Sequence, residues 1–173
     1  MKTAAVVALA ATLSFVSAFG QQTREEAVKG MRKVEAKEMD PTYTKAAPVA
    51  QKLVDEALAK HPEVILIAIH AAPPGHKNLI VASNFGRIGK IGDEDDMRCI
   101  NTKKPNLEVD KTGLHFEAEI PMMDQKGTVV GALGVVFNYK AGDDKKALQT
   151  IADQIQDEMK AELPKKSTLF GPA

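Results

Sequence analysis

Apolar residues recur every three or four positions in three stretches of the chain, which is the spacing of an amphipathic helix. The first two, residues 23–39 and 49–60, lie near the N-terminus and are separated by a segment with two prolines. The third, residues 143–163, lies near the C-terminus and carries a continuous apolar stripe. A short charged stretch near Glu94–Thr102 is a fourth candidate. The pattern therefore predicts helices on both sides of a central region of different character.

Between the helical stretches, five segments favour extended structure. The first is apolar and β-branched throughout, as in a strand buried on both faces. The third and fourth are joined by a turn at Gly113, which predicts a hairpin. The five predicted strands are residues 64–69, Leu79–Ser83, 107–111, 114–122 and 128–139.

The sequences of the fourth and fifth predicted strands indicate how their side chains are arranged. Side chains alternate along residues 114–122, so this strand is expected to have one apolar and one polar face. The apolar set is Phe116, Ala118, Ile120 and Met122, and the polar set is His115, Glu117 and Glu119. Gly131 and Gly134 lie inside the longest strand, which indicates that another part of the molecule approaches it closely.

This order of elements predicts an α+β fold. We expect a five-stranded, mostly antiparallel sheet with a long N-terminal helix and flanking helices, because helices must cover the apolar surface of the sheet. The hairpin-linked third, fourth and fifth strands account for the antiparallel character.

The N-terminus has the layout of a secretory signal peptide. Lys2 precedes a short apolar run, and small residues surround Ala18 and Gly20, where cleavage is expected. An uncleaved anchor is the alternative, but the run is short for a membrane span. We therefore expect a periplasmic or secreted protein with a signal peptide at 1–20, one domain at 21–163 and a C-terminal tail at 164–173, and no membrane span after cleavage.

Composition limits the classes of partner and cofactor. Acidic and basic residues are equal in number, so the chain has no general attraction for nucleic acid. Cys99 is the only cysteine, so no internal disulfide forms, and its position between apolar neighbours predicts burial. The paired cysteines of haem-attachment and zinc motifs are absent from the sequence. We expect no cofactor.

Two segments resemble the extracytoplasmic PAS-like sensor domains called Cache domains. SNFGRIGKIGDEDDM at residues 83–97 is similar to the segment that leads from the second strand into the pocket-covering helix. GLHFEAEIPMMDQKGTVVGALGVVFNY at residues 113–139 is similar to the final three-strand meander. The resemblance extends over about residues 23–163. It implies binding of a small molecule between the sheet and the loop-helix cover, without catalysis. Cache domains usually lie in membrane receptors, and we expect a free-standing, exported version here.

Residues 83–97 admit several interpretations. The spacing of Gly86, Gly89 and Gly92 fits neither of the glycine-rich phosphate motifs. The four acidic residues that follow lack the spacing of a calcium loop. Capping explains them better, with Asp93 as the N-cap of a helix and Asp96 three residues later, close to a capping box. A glycine-hinged cover over a ligand is the functional interpretation.

The candidate ligand contacts follow from that interpretation. Arg87 can bind a carboxylate through two hydrogen bonds, or pair with a nearby aspartate on the surface. Ser83 and Asn84 end a strand and are expected near the mouth of a pocket. The remaining candidates are apolar or aromatic and are either pocket or core residues: Met97, Phe116, Phe137 and Tyr139. His70 and His76 flank a turn but make a poor metal or haem site on their own, so we predict no metal.

The sequence therefore favours a non-catalytic sensory module. No nucleophile–base motif is present. The expected partner is a small-molecule ligand, with a carboxylate as one candidate, and a membrane protein or a second copy would receive the signal. The alternative is a structural or protein-interaction module with a collapsed pocket. Leu169 and Phe170 in the tail either dock to a partner or fold back on the domain.

Overall fold

The computed structural model describes residues 22–172, and the predicted signal peptide lies outside this range. Four α-helices, five strands and two short 3₁₀ helices follow one another. The α-helices are α1 (Arg24–Gly30), α2 (Pro48–Lys60), α3 (Glu94–Thr102) and α4 (Lys145–Ala161). The strands are β1 (Val64–Ala71), β2 (Leu79–Ser83), β3 (Asn106–Val109), β4 (His115–Met123) and β5 (Val129–Asn138). The 3₁₀ helices are Ala36–Glu38 and Lys166–Phe170.

The five strands form a single sheet in the order β2-β1-β5-β4-β3, and every neighbouring pair is antiparallel. The long central strand β5 lies between β1 and β4 and pairs with both along most of its length. The predicted α+β class with a five-stranded antiparallel sheet is therefore confirmed. The specific Cache form stays a prediction.

The main hydrophobic core lies on one face of the sheet, beneath α2 and α4. The apolar side chains of β4 and β5, among them Phe116, Leu133 and Phe137, point toward these helices and are almost completely buried. The apolar stripe of α4 supplies Ile155 and Met159 to the same core. Burial of such side chains stabilises the fold by roughly 1.5–3 kcal/mol each.

The opposite face of the sheet is covered in a different way. At one end, α1 packs on β1 through a small apolar cluster of Ala27, Ile65 and Leu66. At the other end, α3 packs on β4 and β5. The loop between β2 and α3 and the segment after α1 lie between these two helices. The middle of this face therefore has no helix directly above it.

The long N-terminal helix predicted at residues 23–39 is wrong. A Thr23 capping box begins α1, but the helix ends at Gly30, and Met31 is already extended. The residues that follow pair with the loop after β2 instead. The N–H of Ile91 donates to the carbonyl of Glu38 (2.8 Å), and the N–H of Asp40 donates to the carbonyl of Gly89 (2.8 Å). These bonds replace those that a continuous helix would have made.

The C-terminal tail folds back on the domain. Leu169 is fully buried in the main core, and the 3₁₀ helix that carries it packs on α2. Lys52 of α2 also contacts Glu162 just after α4, with 3.2 Å between Nζ and Oε2. The two apolar tail residues are therefore core-contacting residues of this domain.

Within residues 22–172, no helix combines the length and the apolar character that crossing a membrane requires.

Candidate functional site

A cavity of about 280 Å³ lies on the face of the sheet that has no helix directly above it. Side chains of β1, β4 and β5 form its floor. Phe85 and Arg87 from the loop after β2, and Met31 and Arg32 from the segment after α1, form its cover. The cavity opens into a wider depression that extends toward α1 and the turn between β3 and β4.

The floor exists because the small residues Ala68 and Gly134 occupy the middle of the sheet. Gly134 of β5 is directly opposite Ala68 on β1 and directly opposite Glu119 on β4. Gly134 leaves space for a neighbouring acid, since a Cβ at this position would lie 3.1 Å from Oε1 of Glu117. The alternation of β4, which buries Phe116 in the main core, places Glu117 and Glu119 on the cavity side.

His70 and Asp96 join the floor to α3. Nδ1 of His70 lies 2.8 Å from Oδ1 of Asp96, and both residues are buried. The angle falls outside hydrogen-bond geometry, so this contact is a close approach of the ring nitrogen to the carboxylate rather than a directed hydrogen bond. The other carboxylate oxygen of Asp96 accepts a hydrogen bond from the N–H of Asp93 (2.7 Å). Burial raises the pKa of Asp96, but His70 and Glu119 outweigh it and hold this pKa well below its usual range.

Burial has the opposite net effect on the two glutamates of the floor. It raises the pKa of Glu119, and the adjoining carboxyl of Asp96 raises it further, so Glu119 holds the proton of this pair. Burial also raises the pKa of Glu117 to about 7, although His70 opposes the shift. Two carboxyl groups that are ordinarily ionised at neutral pH are therefore protonated or close to half-protonated.

Arg87 lies in the cover with an unusual backbone conformation. Its φ of 61° is in the left-handed region, next to Gly86 at 75°. Its guanidinium donates a hydrogen bond to the backbone carbonyl of Arg32 and lies 5.6 Å from the ring centre of Phe85. Burial and the neighbouring Arg32 lower the pKa of Arg87. Among residues 22–172, no carboxylate lies within ion-pair distance of this guanidinium, which leaves it available to an anion.

The predicted contacts Ser83 and Asn84 hold the loop in place and do not line the cavity. The hydroxyl of Ser83 donates to the carbonyl of Gly86, and its N–H donates to Oε1 of Gln51 (3.2 Å). The amide of Asn84 accepts from the N–H of Ile67 (2.9 Å) and donates to the carbonyl of Ile65 (3.0 Å). Both therefore fix the geometry from which Arg87 projects.

The aromatic candidates lie elsewhere. Phe116 and Phe137 pack together in the main core, on the face of the sheet opposite the cavity. Tyr139 packs beside Phe116 at the edge of that core, and Lys145 lies over its ring. Met97 is on the exposed side of α3. None of the four lines the cavity. The prediction failed because the sequence did not reveal which face of the sheet would stay open.

The remaining residues that the sequence analysis considered are His76 and Cys99. His76 contacts Asp40, with 2.8 Å between Nδ1 and Oδ2, so it and His70 have different partners. In the part of the chain that the structure describes, no group of three or more histidine, cysteine or acidic side chains is arranged to hold a metal. Cys99 is buried as predicted, and burial raises the pKa of its thiol to about 12.

Four charged or titratable residues of the cavity were not among the predicted ligand contacts: His70, Asp96, Glu117 and Glu119. A signal for two of them was present. Glu117 and Glu119 are acidic residues in the middle of a strand whose other face is wholly apolar, and such residues need a polar environment. The pairing of His70 with Asp96 brings together residues far apart in the chain, which no local pattern indicates.

No protein-family model matches the chain, and no curated protein matches it in sequence. Among solved structures, the chain is similar to a protein from Burkholderia vietnamiensis described as a GAF sensor. The two are 12% identical with a TM-score of 0.48, over 73% of this chain and 83% of that chain. It is also similar to the inducer-binding domain of the transcription factor PobR from Acinetobacter, solved as a double mutant with 3-hydroxybenzoic acid. That match has 11% identity and a TM-score of 0.46, over 68% of this chain and 96% of that chain.

A third similar structure is the GAF domain of a phosphoenolpyruvate-protein phosphotransferase from Acinetobacter. It is 13% identical with a TM-score of 0.46, over 67% of this chain and 82% of that chain. Similarity of this degree identifies neither a family nor a ligand for this chain.

Proposed function

We propose that the chain is a non-catalytic sensory module of the Cache or PAS type that binds a small molecule in the cavity beneath Arg87. The observation that carries the proposal is the cavity itself, which combines a convergent set of polar side chains with an arginine that has no carboxylate partner within the described residues. Concave sites with a few converging polar groups are the usual form of a small-molecule site. Export by the predicted signal peptide, to the periplasm or beyond, is part of the proposal.

A carboxylate is the ligand group that suits Arg87. Its guanidinium is partly buried and bonded only to a neutral carbonyl, and a planar guanidinium binds a carboxylate through two hydrogen bonds. Arg87 has a left-handed φ beside Gly86, and its side chain is part of the cavity lining.

The signal would pass through the segment that covers the cavity. Arg32 lies directly after α1, accepts the hydrogen bond from Arg87 and pairs with Glu38 at 2.7 Å. A ligand that draws Arg87 away from Arg32 changes the restraint on the end of α1. A change in the packing of α1 is then available to a membrane protein or to a second copy of the chain, provided that the ligand binds the two arrangements with different affinity.

Catalysis has little support. The single thiol is buried and its pKa is raised, so it is a poor nucleophile. The alternative of an interaction module with a collapsed pocket is disfavoured by the open cavity.

A thermal-shift screen of the purified protein tests the proposal. The panel contains small carboxylates, amino acids, purines, polyamines and haem. A ligand at about 100 times its dissociation constant stabilises the folded state by roughly 2.7 kcal/mol, which raises the melting temperature by several degrees in a domain of this size. We expect a shift that Arg87→Ala abolishes and that Lys146→Ala, a change at an exposed position of α4 on the other face of the sheet, leaves intact. A flat panel, with no co-purified small molecule by native mass spectrometry, would favour the interaction module.

A further inference from the structure

Most charged side chains around the cavity are already neutralised by a partner. Lys90 lies 3.3 Å from Asp93, and Arg98 lies 2.7 Å from Asp95, in each case between nitrogen and carboxylate oxygen. These pairs are at the rim and are partly exposed to solvent. They contribute little net charge to the interior of the cavity.

The two glutamates of the floor are different. Within residues 22–172, no N–H or hydroxyl group donates a hydrogen bond to the carboxyl of Glu117 or of Glu119. Glu119 is only 6% exposed and lines the cavity. It shares a hydrogen-bonded proton with the carboxyl of Asp96, whose oxygens also contact Nδ1 of His70 and the N–H of Asp93. The floor therefore presents two carboxyl groups to the cavity that receive no hydrogen bond from an N–H or hydroxyl group of the described residues. An ionised carboxylate in such a place is costly unless a cation pairs with it.

A small organic cation forms stronger hydrogen bonds to these carboxyl groups than water does. An ammonium group carries three donors and a positive charge, and its hydrogen bonds to carboxylates are among the strong ones. The carboxyl of Glu117 lies against Gly134, where a Cβ would stand 3.1 Å from its Oε1, and Ala68 is opposite Gly134 on β1, so small residues border this part of the floor. The walls of this end of the cavity are the apolar side chains of Leu66 and Val136, which suit a short alkyl chain.

We propose that the acidic floor binds the ammonium group of an organic amine, and that this cation replaces the proton held among the carboxyl groups of Glu117, Glu119 and Asp96. The inference rests on the proposed function and adds the chemical class of the group bound at the floor. The proton balance is simple: a neutral carboxyl and an alkylammonium become a carboxylate–ammonium pair, and one proton leaves to solvent for each carboxyl that was neutral.

The pH dependence follows from the groups that face Glu117. His70 on β1 and Arg87 in the loop favour its ionised form, while Glu108 on β3, Asp96 on α3 and Asp93 at its N-cap oppose it. Because the free protein holds the proton until the pH approaches about 7, the cation competes with that proton at lower pH. Amine affinity therefore rises between about pH 5 and pH 7, and the contribution of Glu117 levels off above about pH 7, where its carboxyl is already ionised.

Three probes of nearly equal size separate the inference from the proposed function. They are butylammonium, butanoate and 1-butanol, each tested at millimolar concentration by thermal shift on the purified protein. We expect butylammonium to stabilise the protein and 1-butanol to leave it unchanged. Stabilisation by butanoate alone would overturn the amine inference and leave ligand binding through Arg87 intact. No shift from any of the three would overturn the amine inference, and the wider screen would then decide the proposed function.

Matched variants locate the effect. We expect Glu117→Gln and Glu119→Gln each to weaken butylammonium binding by at least about tenfold, since each removes a charge-assisted hydrogen bond. Glu94→Gln, on the exposed first turn of α3, should leave binding unchanged. Both floor variants keep the shape of the side chain, and their melting temperatures without ligand report whether they fold.

Calorimetry in two buffers with different ionisation enthalpies measures the released protons. Glu117 is largely protonated at pH 6 and ionised at pH 8.5. A heat of butylammonium binding that differs between the buffers at pH 6, by more than it differs at pH 8.5, supports proton displacement. Binding with the same heat in both buffers at pH 6 would overturn it, as would equal affinity of the wild-type protein and Glu119→Gln.

Discussion

Oδ1 of Asp96 lies 2.8 Å from Nδ1 of His70, so the first turn of α3 is joined directly to the central sheet. The other oxygen of the same carboxylate closes the capping box with the N–H of Asp93. One buried side chain therefore begins the helix and forms part of the cavity wall.

The capping box is the first feature that mutation tests. The carboxylate of Asp93 accepts hydrogen bonds from the N–H groups of Asp95 (3.2 Å) and Asp96 (3.4 Å). We expect Asp93→Ala to lower the free energy of unfolding by about 1 kcal/mol, because two backbone donors lose their acceptor. Asp95 lies two residues later and pairs with Arg98. Asp95→Ala should lower the free energy of unfolding by no more than about 0.5 kcal/mol. Urea denaturation measures both, and equal losses would show that the cap does not matter.

The two glycines of β5 differ in what surrounds them. A Cβ on Gly131 would lie 2.0 Å from the backbone carbonyl oxygen of His70, whereas a Cβ on Gly134 would meet the end of the Glu117 side chain at 3.1 Å. Backbone cannot move aside as a side chain can. We expect Gly131→Ala to destabilise the protein by about 3 kcal/mol or more, and Gly134→Ala by about 1 kcal/mol or less. Thermal unfolding compares the two, and the reverse order would contradict the observed strand pairing.

Glu117 is expected to make stability depend on pH. Its pKa is raised from 4.5 to about 7 in the folded protein. Between these values the folded state keeps a proton that the unfolded state has lost, so the free energy of unfolding falls as the pH rises. The loss is complete above about pH 7 and amounts to at most about 3 kcal/mol.

Glu117→Gln removes this titration. The variant should be more stable than the wild-type protein at pH 8 and similar to it at pH 4, as measured by urea denaturation at both values. Glu94→Gln serves as the control, since that side chain is exposed. A wild-type protein that gains stability relative to Glu117→Gln as the pH rises would contradict the raised pKa.

The backbone of Arg87 allows its conformation and its side chain to be tested separately. A left-handed φ costs a residue with a Cβ roughly 1 kcal/mol and costs glycine almost nothing. Arg87→Gly and Arg87→Ala both remove the guanidinium, so they lose the bond to Arg32 equally. We expect the glycine variant to be the more stable of the two by about 1 kcal/mol in chemical denaturation. Greater stability of the alanine variant would mean that this loop adopts another conformation.

Local chemistry explains what the sequence predicted correctly. The bounds of β2 and α3 were correct because Ser83 precedes a glycine-rich turn and Asp93 supplies a cap. The close approaches at Gly131 and Gly134 were also predicted and are confirmed. The bounds of β2 and α3 depend on residues that are near one another in the chain, whereas the approaches at the two glycines were signalled only by the presence of glycine inside a strand.

The predictions that failed depend on distant contacts. The first helix was expected to continue to residue 39, but residues 38–40 form hydrogen bonds to the loop at residues 89–91. The alternation along β4 separated Phe116 from Glu117 correctly, yet it did not reveal that two helices would cover the apolar face and leave the polar face open. Only the packing of α2 and α4 decides between the two faces.

Mapping of backbone amide shifts by NMR tests the binding proposal most directly. The uniformly labelled protein is titrated with the ligand that gives the largest thermal shift. We expect perturbed amides to cluster at Leu66, Gly134 and Val136 on the floor and at residues 85–90 in the cover. Shifts confined to the main core around Phe137, or to the exposed edge at Leu107, would contradict a ligand site beneath Arg87.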